Sequence, residues 1–299
     1  MKVVTSIAEL QSLIATLRAE GQTIGLVPTM GALHEGHASL VRRSVAENDT
    51  TIVSIFLNPT QFNDPKDLER YPRTLDSDCA LLTECGAQIA FAPTPLEVYP
   101  EPDTRTFSYP PTDSVMEGAR RPGHFNGVCQ IVSKLFMYTQ PDRAYFGEKD
   151  YQQIAVIKAM VQDYRNGRHD DILIAGKPAD TSWAQTLTIV PCPVIREDNG
   201  LARSSRNTLL TPEEHDIAPH IYRILQESKT QGLSVDDTCQ WAIDQINAIP
   251  GLEVEYYSIV DGDTLADVHS WDEAESIVGC ITVYCGHTPI RLIDHTRYK

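Results

Sequence analysis

The segment best suited to chemistry is PTMGALHEGH at residues 28–37. His34 and His37 bracket Gly36, where the absence of a Cβ lets the backbone come close to a ligand. A helix predicted to begin at His37 adds unpaired N–H groups and the positive end of its dipole, which together attract anions. Imidazole N–H groups can then donate to phosphate oxygens as charge develops during transfer. The segment therefore predicts a phosphate site.

Two other interpretations of these histidines are weaker. A zinc site would need a third ligand, and none is evident near residues 34–37. Two surface histidines at a helix start would carry no function. A pair that flanks glycine directly after an apolar strand does not favour that interpretation.

Further polar segments could supply ligands to the same substrate. FLNPTQF at residues 56–62 brings Asn58 and Gln61. Their amides suit a hydroxyl or a carboxylate in an apolar pocket. A Gly-rich loop at residues 117–125 is expected to line the entrance.

Two segments with cationic side chains complete this set. GEKDYQQ at residues 147–153 brings Lys149, a mobile cation suited to phosphate oxygens, with Gln153 one turn further on. RSSRN at residues 203–207 carries hydroxyl and guanidinium groups that suit a closing phosphate clamp. Taken alone, each segment also fits a solvated polar loop.

The motif search narrows the chemistry. The sequence has no Gly-x-x-x-x-Gly-Lys-Ser/Thr loop, which argues against a P-loop kinase, and no Gly-x-Gly-x-x-Gly, which argues against a dinucleotide oxidoreductase. No serine or cysteine is paired with a base in these segments. The shared theme is donors for oxyanions, which act by positioning and electrostatic stabilisation.

Strands and helices alternate in the part of the chain that carries most of these groups. Ser6 and Glu9 form a capping-box pattern for a helix to about Ala19. This alternation predicts a doubly wound parallel sheet, in which ligands bind at the carboxyl ends of the strands. The predicted strands are 23–27, 51–57, 88–92 and 143–146, and the later helices are 37–47, 76–85, 126–138 and 151–161.

The pattern changes near residue 195. Helices starting after Thr211 and at Val235 precede apolar strands at 252–260, 276–284 and 289–293, which predicts a smaller α+β domain with an antiparallel sheet. We therefore expect a Rossmann-like nucleotide-binding domain at residues 1–195 and a lid domain at residues 196–299.

Composition excludes several classes of protein. The chain has 299 residues and a net charge of −16, which opposes nucleic-acid and anionic-membrane binding. No apolar run approaches the ~20 residues that span a bilayer, and no signal peptide is evident, so a cytoplasmic location is expected. The seven scattered cysteines contain no Cys-x-x-Cys pair and predict buried reduced thiols.

These motifs together resemble a known family. His34-Glu35-Gly36-His37 is similar to the His-x-Gly-His signature of the nucleotidylyltransferase superfamily, and Ser204-Ser205-Arg206 to its second, mobile phosphate-binding motif. The order and spacing of the segments resemble the pantothenate synthetase (pantoate–β-alanine ligase) family over nearly the whole chain. The segments are 28–37, 56–62, 71–75, 121–128, 147–153 and 198–207.

The resemblance implies that Mg-ATP activates pantoate as pantoyl adenylate and releases pyrophosphate. β-Alanine then displaces AMP to give pantothenate. It also implies a homodimer and no organic prosthetic group. The implied catalytic residues are His34, His37 and Lys149, and Asp78 is a candidate for contact with magnesium. The implied pantoate ligands are Gln61, Gln153 and Met30, with Gln61 also near β-alanine. The implied ATP ligands are Met30, Gly31, Ala32, Leu33, His34, Glu35, Gly36, His37, Gly147, Glu148, Lys149, Asp150, Ile195, Arg203, Ser204, Ser205 and Arg206.

The sequence departs from the family pattern in two places. About twenty extra residues lie between Asp163 and Thr188, including DDILIAG at residues 170–176 and Trp183. The segment 164–187 is interpreted as an added hairpin. Arg203 stands where an apolar residue is expected, and it either contacts phosphate or points to solvent.

Two rival functions remain open. Another nucleotidylyltransferase would transfer AMP or CMP to a phosphorylated acceptor, but the neutral donors Gln61 and Gln153 favour a carboxylate with hydroxyls. A nucleotide sensor with a decayed site would bind ATP without releasing AMP. The intact histidines and Lys149 argue against it.

Overall fold

The computed structural model describes residues 1–63, 65–168, 173–174 and 177–299. It divides into two compact units. The N-terminal unit comprises residues 1–109, 121–147 and 156–192; the C-terminal unit comprises residues 110–120, 148–155 and 193–299. The sequence predicted one boundary, between residues 195 and 196. The segments 110–120 and 148–155 instead group with the C-terminal unit, where they form tertiary contacts such as the hydrogen bond from the Tyr151 hydroxyl to the Gly262 carbonyl (2.9 Å).

Within the described residues, six parallel strands form the sheet of the N-terminal unit, as the sequence predicted. The strands that precede the C-terminal part of the chain are β1 (Lys2–Val4), β2 (Ile24–Thr29), β3 (Thr50–Ile55), β4 (Ile89–Phe91), β5 (Arg143–Gly147), the short pair β6 (Leu173–Ile174) and β7 (Lys177–Pro178), and β8 (Thr188–Cys192). The sheet order is β1-β4-β3-β2-β5-β8, so the winding reverses between β2 and β5. That reversal is where doubly wound folds bind ligands.

Two strands of this sheet were not predicted. β1 is only three residues long and is defined by its pairing with β4. β8 contains Pro191, which lacks an N–H and is tolerated here because β8 is an edge strand. Both strands depend on tertiary partners rather than on a local pattern.

Helices pack against this sheet through apolar side chains. Val41 of one helix joins Val27, Val53 and Tyr145 of the strands in a single buried cluster. The Ser6 hydroxyl accepts a hydrogen bond from the Glu9 amide, which confirms the predicted capping residue. The helices are α1 (Ile7–Ala19), α2 (Glu35–Glu47), α3 (Pro65–Arg70), α4 (Leu75–Glu84), α5 (Pro95–Val98), α6 (Met116–Arg120), α7 (His124–Thr139), α8 (Tyr151–Arg165) and α9 (Trp183–Thr186).

The C-terminal unit contains the predicted antiparallel sheet. Its strands, β9 (Leu252–Asp261), β10 (Ile277–Cys285) and β11 (Ile290–Arg297), pair in the order β11-β10-β9. Its later helices are α10 (Pro212–Ile217), α11 (His220–Ser228) and α12 (Val235–Asn247). Side chains such as Leu225, Ile246, Ile281 and Val283 form a separate core. This confirms the predicted small α+β architecture.

The segment 164–187 lies partly outside the described residues, because residues 169–172 and 175–176 are not among them. Of the predicted hairpin, the described parts are β6 and β7, which pair antiparallel. Trp183 is buried and packs its ring between Phe136 and Tyr164, with centroids 5.0 and 4.9 Å away. No helix among the residues described is long and apolar enough to cross a membrane.

Candidate active site

The two histidines cap the first turn of α2. The helix begins at Glu35, two residues earlier than predicted, because His34 acts as its N-cap in extended conformation. His34 Nδ1 accepts a hydrogen bond from the Gly36 amide (3.1 Å), and His37 Nδ1 accepts one from the His34 amide (3.4 Å). The two rings lie 4.1 Å apart between centroids. A sequence pattern with Ser, Thr or Asp at the cap would have indicated this start, whereas histidine is not a usual cap residue.

This capping arrangement fixes which ring nitrogen carries the proton. A backbone N–H can only donate, so Nδ1 of His34 and of His37 must each be an acceptor. Each neutral ring therefore carries its proton on Nε2, where it is a hydrogen-bond donor. The first turn of α2 thus combines two imidazole donors with the positive end of a helix dipole, which is the equipment of an oxyanion site.

The loop before His34 is held by Asp78, a residue of α4. Asp78 is 2% exposed, and its carboxylate accepts hydrogen bonds from the Ala32 amide (3.1 Å) and the Leu33 amide (2.8 Å). The Thr74 hydroxyl donates a third (3.1 Å). The magnesium contact expected at Asp78 stays a prediction. Among the residues described, no group of three His, Cys, Asp or Glu side chains is placed to hold a metal.

Gln61 is the most firmly oriented of the predicted pantoate ligands. It is buried in a short 3-10 helix, Pro59–Gln61. Asn58 donates to Gln61 Oε1 (3.1 Å), and Gln61 Nε2 lies 3.0 Å from Met30 Sδ, so the amide donor faces Met30. Asn58 itself is 1% exposed and also donates to the Gly127 carbonyl (3.0 Å). Of the two predicted amide side chains, Asn58 therefore orients Gln61, and Gln61 is the one whose donor faces Met30.

Gly127 and His124 of α7 set the position of that 3-10 helix. A Cβ at Gly127 would lie 2.4 Å from the Thr60 carbonyl oxygen and 2.8 Å from Gln61 Cα, so only glycine fits. The His124 ring donates from Nδ1 to the Gln61 carbonyl (2.8 Å). The sequence predicted that His124 lies in a loop that lines the entrance. In the structure His124 is buried, and its ring is hydrogen-bonded to this carbonyl.

A largely apolar cavity of about 320 Å³ lies beside Met30. Its walls include Gly31, Phe56, Leu57 and Asp78. Cavities of this size hold small organic molecules, with a few polar groups fixing orientation. Met30 links the cavity to the Gln61 amide, because its sulfur is the atom that Nε2 approaches.

The residues of the C-terminal unit that the sequence predicted to bind phosphate line one pocket. Lys149, Ser204 and Arg206 line it together with Asn207 and Tyr222. Ser204 caps a 3-10 helix, Ser205–Leu209, and its hydroxyl accepts from the Arg206 amide. Lys149 is largely buried, and its ammonium group lies 3.4 Å from the Asp150 carboxylate.

Ile195 and Arg203 face each other at the base of a tight hairpin. The Arg203 amide donates to the Ile195 carbonyl (2.9 Å), and Arg196 and Ala202 form the next bridge. The Arg203 side chain is exposed, with Nη1 3.9 Å from Glu197 Oε1. Which of the two predicted alternatives applies to Arg203, phosphate contact or solvent, stays a prediction.

Glu117 and Gln152 are supporting residues that the sequence did not reveal. Both Glu117 carboxylate oxygens accept hydrogen bonds from Arg291 (2.6 Å each), and Tyr256 and Thr282 donate to one of them. Burial acts to lower the pKa of Arg291, but the hydrogen bonds and negative charges of Glu117 and Glu255 together outweigh it and raise that pKa. The Gln152 amide bonds the backbone of residues 112–117, while Gln153 beside it is half-buried.

The doubly wound sheet, with two imidazoles at a helix N-terminus directly after β2, is the architecture of the nucleotide-binding class of α/β proteins. Comparison with known proteins identifies the family of this chain. Residues 2–297 match the family model of pantoate-beta-alanine ligase. The pantothenate synthetase of Bacteroides thetaiotaomicron is 55% identical, over 100% of this chain and 99% of the relative. That of Porphyromonas gingivalis is 51% identical, over the full length of both.

Solved structures agree with this assignment. A pantothenate synthetase from Thermus thermophilus superposes with a TM-score of 0.85 at 38% identity, covering 100% of this chain and 99% of that one. A pantoate-beta-alanine ligase from Francisella tularensis, complexed with beta-gamma ATP and beta-alanine, gives 0.80 at 33% identity, covering 100% and 98%. The chain belongs to the pantoate–β-alanine ligase family. The predicted ATP-dependent ligase of pantothenate biosynthesis is confirmed.

Proposed function

We propose that this chain joins pantoate to β-alanine in two steps. First, a pantoate carboxylate oxygen attacks the α-phosphorus of Mg-ATP, the bond from that phosphorus to the bridging oxygen breaks, and pyrophosphate leaves. Then the β-alanine amine attacks the acyl carbon of pantoyl adenylate, AMP leaves with the bonding electron pair, and the nitrogen loses a proton. The observation that carries this proposal is the pair of imidazoles at the first turn of α2, each of which accepts a backbone hydrogen bond at Nδ1.

In the first step the pantoate carboxylate attacks a negatively charged phosphate. The step therefore needs hydrogen-bond donors and cations at the point where the negative charges approach each other. His34 and His37 would donate to phosphate oxygens, supported by the α2 amides. Lys149, which shares a pocket with Ser204 and Arg206, would neutralise charge as pyrophosphate forms. The remaining proposed ATP ligands are Met30, Gly31, Ala32, Leu33, Glu35, Gly36, Gly147, Glu148, Asp150, Ile195, Arg203 and Ser205.

Pantoate is assigned to Gln61, Gln153 and Met30. The Gln61 donor is pre-oriented by Asn58, and the adjoining apolar cavity suits the methyl groups of pantoate. Gln61 is also assigned to β-alanine. Magnesium enters as part of the Mg-ATP substrate, since it is commonly held by phosphates and one or two carboxylates.

The proposed assembly is a cytoplasmic homodimer, as the family resemblance implies. Sedimentation equilibrium at micromolar concentration should give twice the 33.3 kDa chain mass. A purely monomeric species would refute the dimer but would leave the proposed reaction unaffected.

Isotope exchange tests the chemistry. Labelled pyrophosphate should exchange into ATP when pantoate is present, without β-alanine, because adenylation is reversible and precedes amide formation. AMP release should require all three substrates. Exchange that depends on a phosphorylated acceptor instead of pantoate would favour the rival transferase, and ATP binding without AMP release would favour the sensor.

A further inference from the structure

Asp78 holds the backbone that leads into the two histidines. Asp78 Oδ1 accepts from the Leu33 amide (2.8 Å) and the Thr74 hydroxyl (3.1 Å), and Oδ2 accepts from the Ala32 amide (3.1 Å). Hydrogen bonds to an ionised carboxylate are among the stronger ones in proteins. The carboxylate therefore fixes the two residues immediately before His34.

The conformation of this loop needs such an anchor. Gly31 and Ala32 both have positive φ, 86° and 51°. Alanine rarely adopts the left-handed region, because its Cβ crowds the backbone, and it stays there only where its surroundings enforce it. A Cβ at Gly31 would lie 3.2 Å from Asp78 Oδ2, so the carboxylate packs directly against this turn.

The turn determines where the imidazoles are. Leu33 is followed by His34, which caps α2 and whose amide donates to the His37 ring. We infer that Asp78 is a positioning residue for the adenylation step, acting through residues 31–33 on His34 and His37. This inference rests on the proposed roles of the two histidines.

The alternative role for Asp78 is direct contact with magnesium. A carboxylate offers about four lone-pair positions. Three of them already accept hydrogen bonds. Binding a metal through the same oxygens would compete with the bonds that hold the loop. The two roles therefore predict different magnesium dependence.

The test compares Asp78→Asn with Asp76→Asn. Asparagine keeps the size of the side chain. Its NH₂ group, however, would face a backbone N–H that now donates a hydrogen bond to the carboxylate, so that bond would be lost. Asp76 is exposed on the same turn of α4, so its variant makes the same charge change away from the loop. Both half-reactions are measured: pantoate-dependent pyrophosphate exchange, and amide formation from supplied pantoyl adenylate and β-alanine.

For Asp78→Asn we expect the maximal exchange rate to fall ~10²-fold, the scale of a misplacement of about 1 Å. The KM for pantoate, the amide-forming rate and the magnesium concentration for half-maximal exchange should stay close to wild type. Asp76→Asn should match wild type throughout. If Asp78→Asn does not fold, as judged by its thermal unfolding midpoint, Asp78→Glu, which keeps the charge but shifts it, should show the same selective loss.

Three results would overturn the inference: an unchanged exchange rate, an equal loss in both half-reactions, or recovery of exchange at high magnesium. The first removes Asp78 from positioning, the second assigns it to general stability, and the third assigns it to the metal. Failure of the proposed function is separable, because wild-type protein would then show no pantoate-dependent exchange at all.

Discussion

At the scale of single residues, the tautomer of the histidines follows from what their backbone neighbours can donate. Nδ1 of His34 and of His37 each accepts a hydrogen bond from a main-chain N–H. In this geometry a neutral ring carries its proton on Nε2, which is then its hydrogen-bond donor.

His37→Ala should leave the fold intact and lower turnover by ~10²–10³-fold, the usual effect of removing one positioned donor. The pantoate-dependent exchange assay measures the loss directly. His287→Ala is the matched control, because this histidine is exposed in the turn between β10 and β11. Near-normal turnover of His37→Ala would exclude His37 from the mechanism.

At the scale of elements, a close helix approach positions Gln61. Gly127→Ala would drive a Cβ into the backbone at Thr60 and Gln61, at separations of 2.4 to 2.8 Å that real contacts do not show. α7 and the 3-10 helix must then move apart by a few tenths of an ångström or more. Overpacking of this kind costs typically about 1–3 kcal/mol.

The expected consequence of Gly127→Ala is a raised KM for pantoate together with a lower thermal unfolding midpoint. The KM for ATP should change less, because the α2 cap is built by other residues. Steady-state kinetics with each substrate varied in turn separates the two. If both KM values stay at wild-type levels, the contact does not position Gln61.

The same scale includes the ion pair between Glu117 of α6, which is buried, and Arg291, which is half-buried. Glu117→Gln removes one charge opposite Arg291 and places an amide donor near its guanidinium. Arg291 keeps Glu255 as a second carboxylate partner (2.7 Å), so the expected loss is that of charge-assisted hydrogen bonds, about 1.5–3 kcal/mol. Urea unfolding followed by tryptophan fluorescence would measure the loss. In a double-mutant cycle with Arg291→Met, the two losses should not add, because both variants remove the same contact; strictly additive losses would mean that the pair does not act as a unit.

Much of this architecture was accessible from sequence because it is locally encoded. The apolar run at β3 and the capping box of α1 predict their elements almost to the residue. β1 and β8 were missed because three residues, or a strand with proline, carry no local signal. The motifs predicted roles for His34, Gln61 and Lys149, and these stay predictions. The contacts that Asp78, His124 and Glu117 make with distant backbone or charge partners are not revealed by spacing along the chain.

At the scale of the whole molecule, the seven cysteines are thiols that are spread over both units. Cys79 and Cys239 are half-buried, and the other five are buried. Burial raises the pKa of the Cys239 and Cys285 thiols to about 11 and that of Cys280 to about 12. In the unfolded chain these groups return to the ordinary value of about 8.5.

This difference makes stability depend on alkaline pH. Below about pH 8.5 the thiols are protonated in both states, so their contribution is fully present. As pH rises further, the unfolded chain releases protons that the native protein retains, and the free energy of unfolding falls until the folded pKa values are passed. The loss attributable to Cys280 should be about 2 kcal/mol at pH 10, since each pH unit above the unfolded pKa costs about 1.4 kcal/mol until the folded pKa is reached.

Urea unfolding at pH 8, 9 and 10 tests this expectation. The midpoint should fall with pH, and Cys280→Ala should fall less steeply, because it removes one of the titrating groups at a site that is 6% exposed. Thiol labelling at pH 8 gives an independent check. A disulfide-forming reagent should modify seven thiols rapidly in denaturant, but at most Cys79 and Cys239 in the native protein. Rapid labelling of all seven without denaturant, or parallel pH profiles of wild type and Cys280→Ala, would show that the buried thiols do not control the alkaline limit of stability.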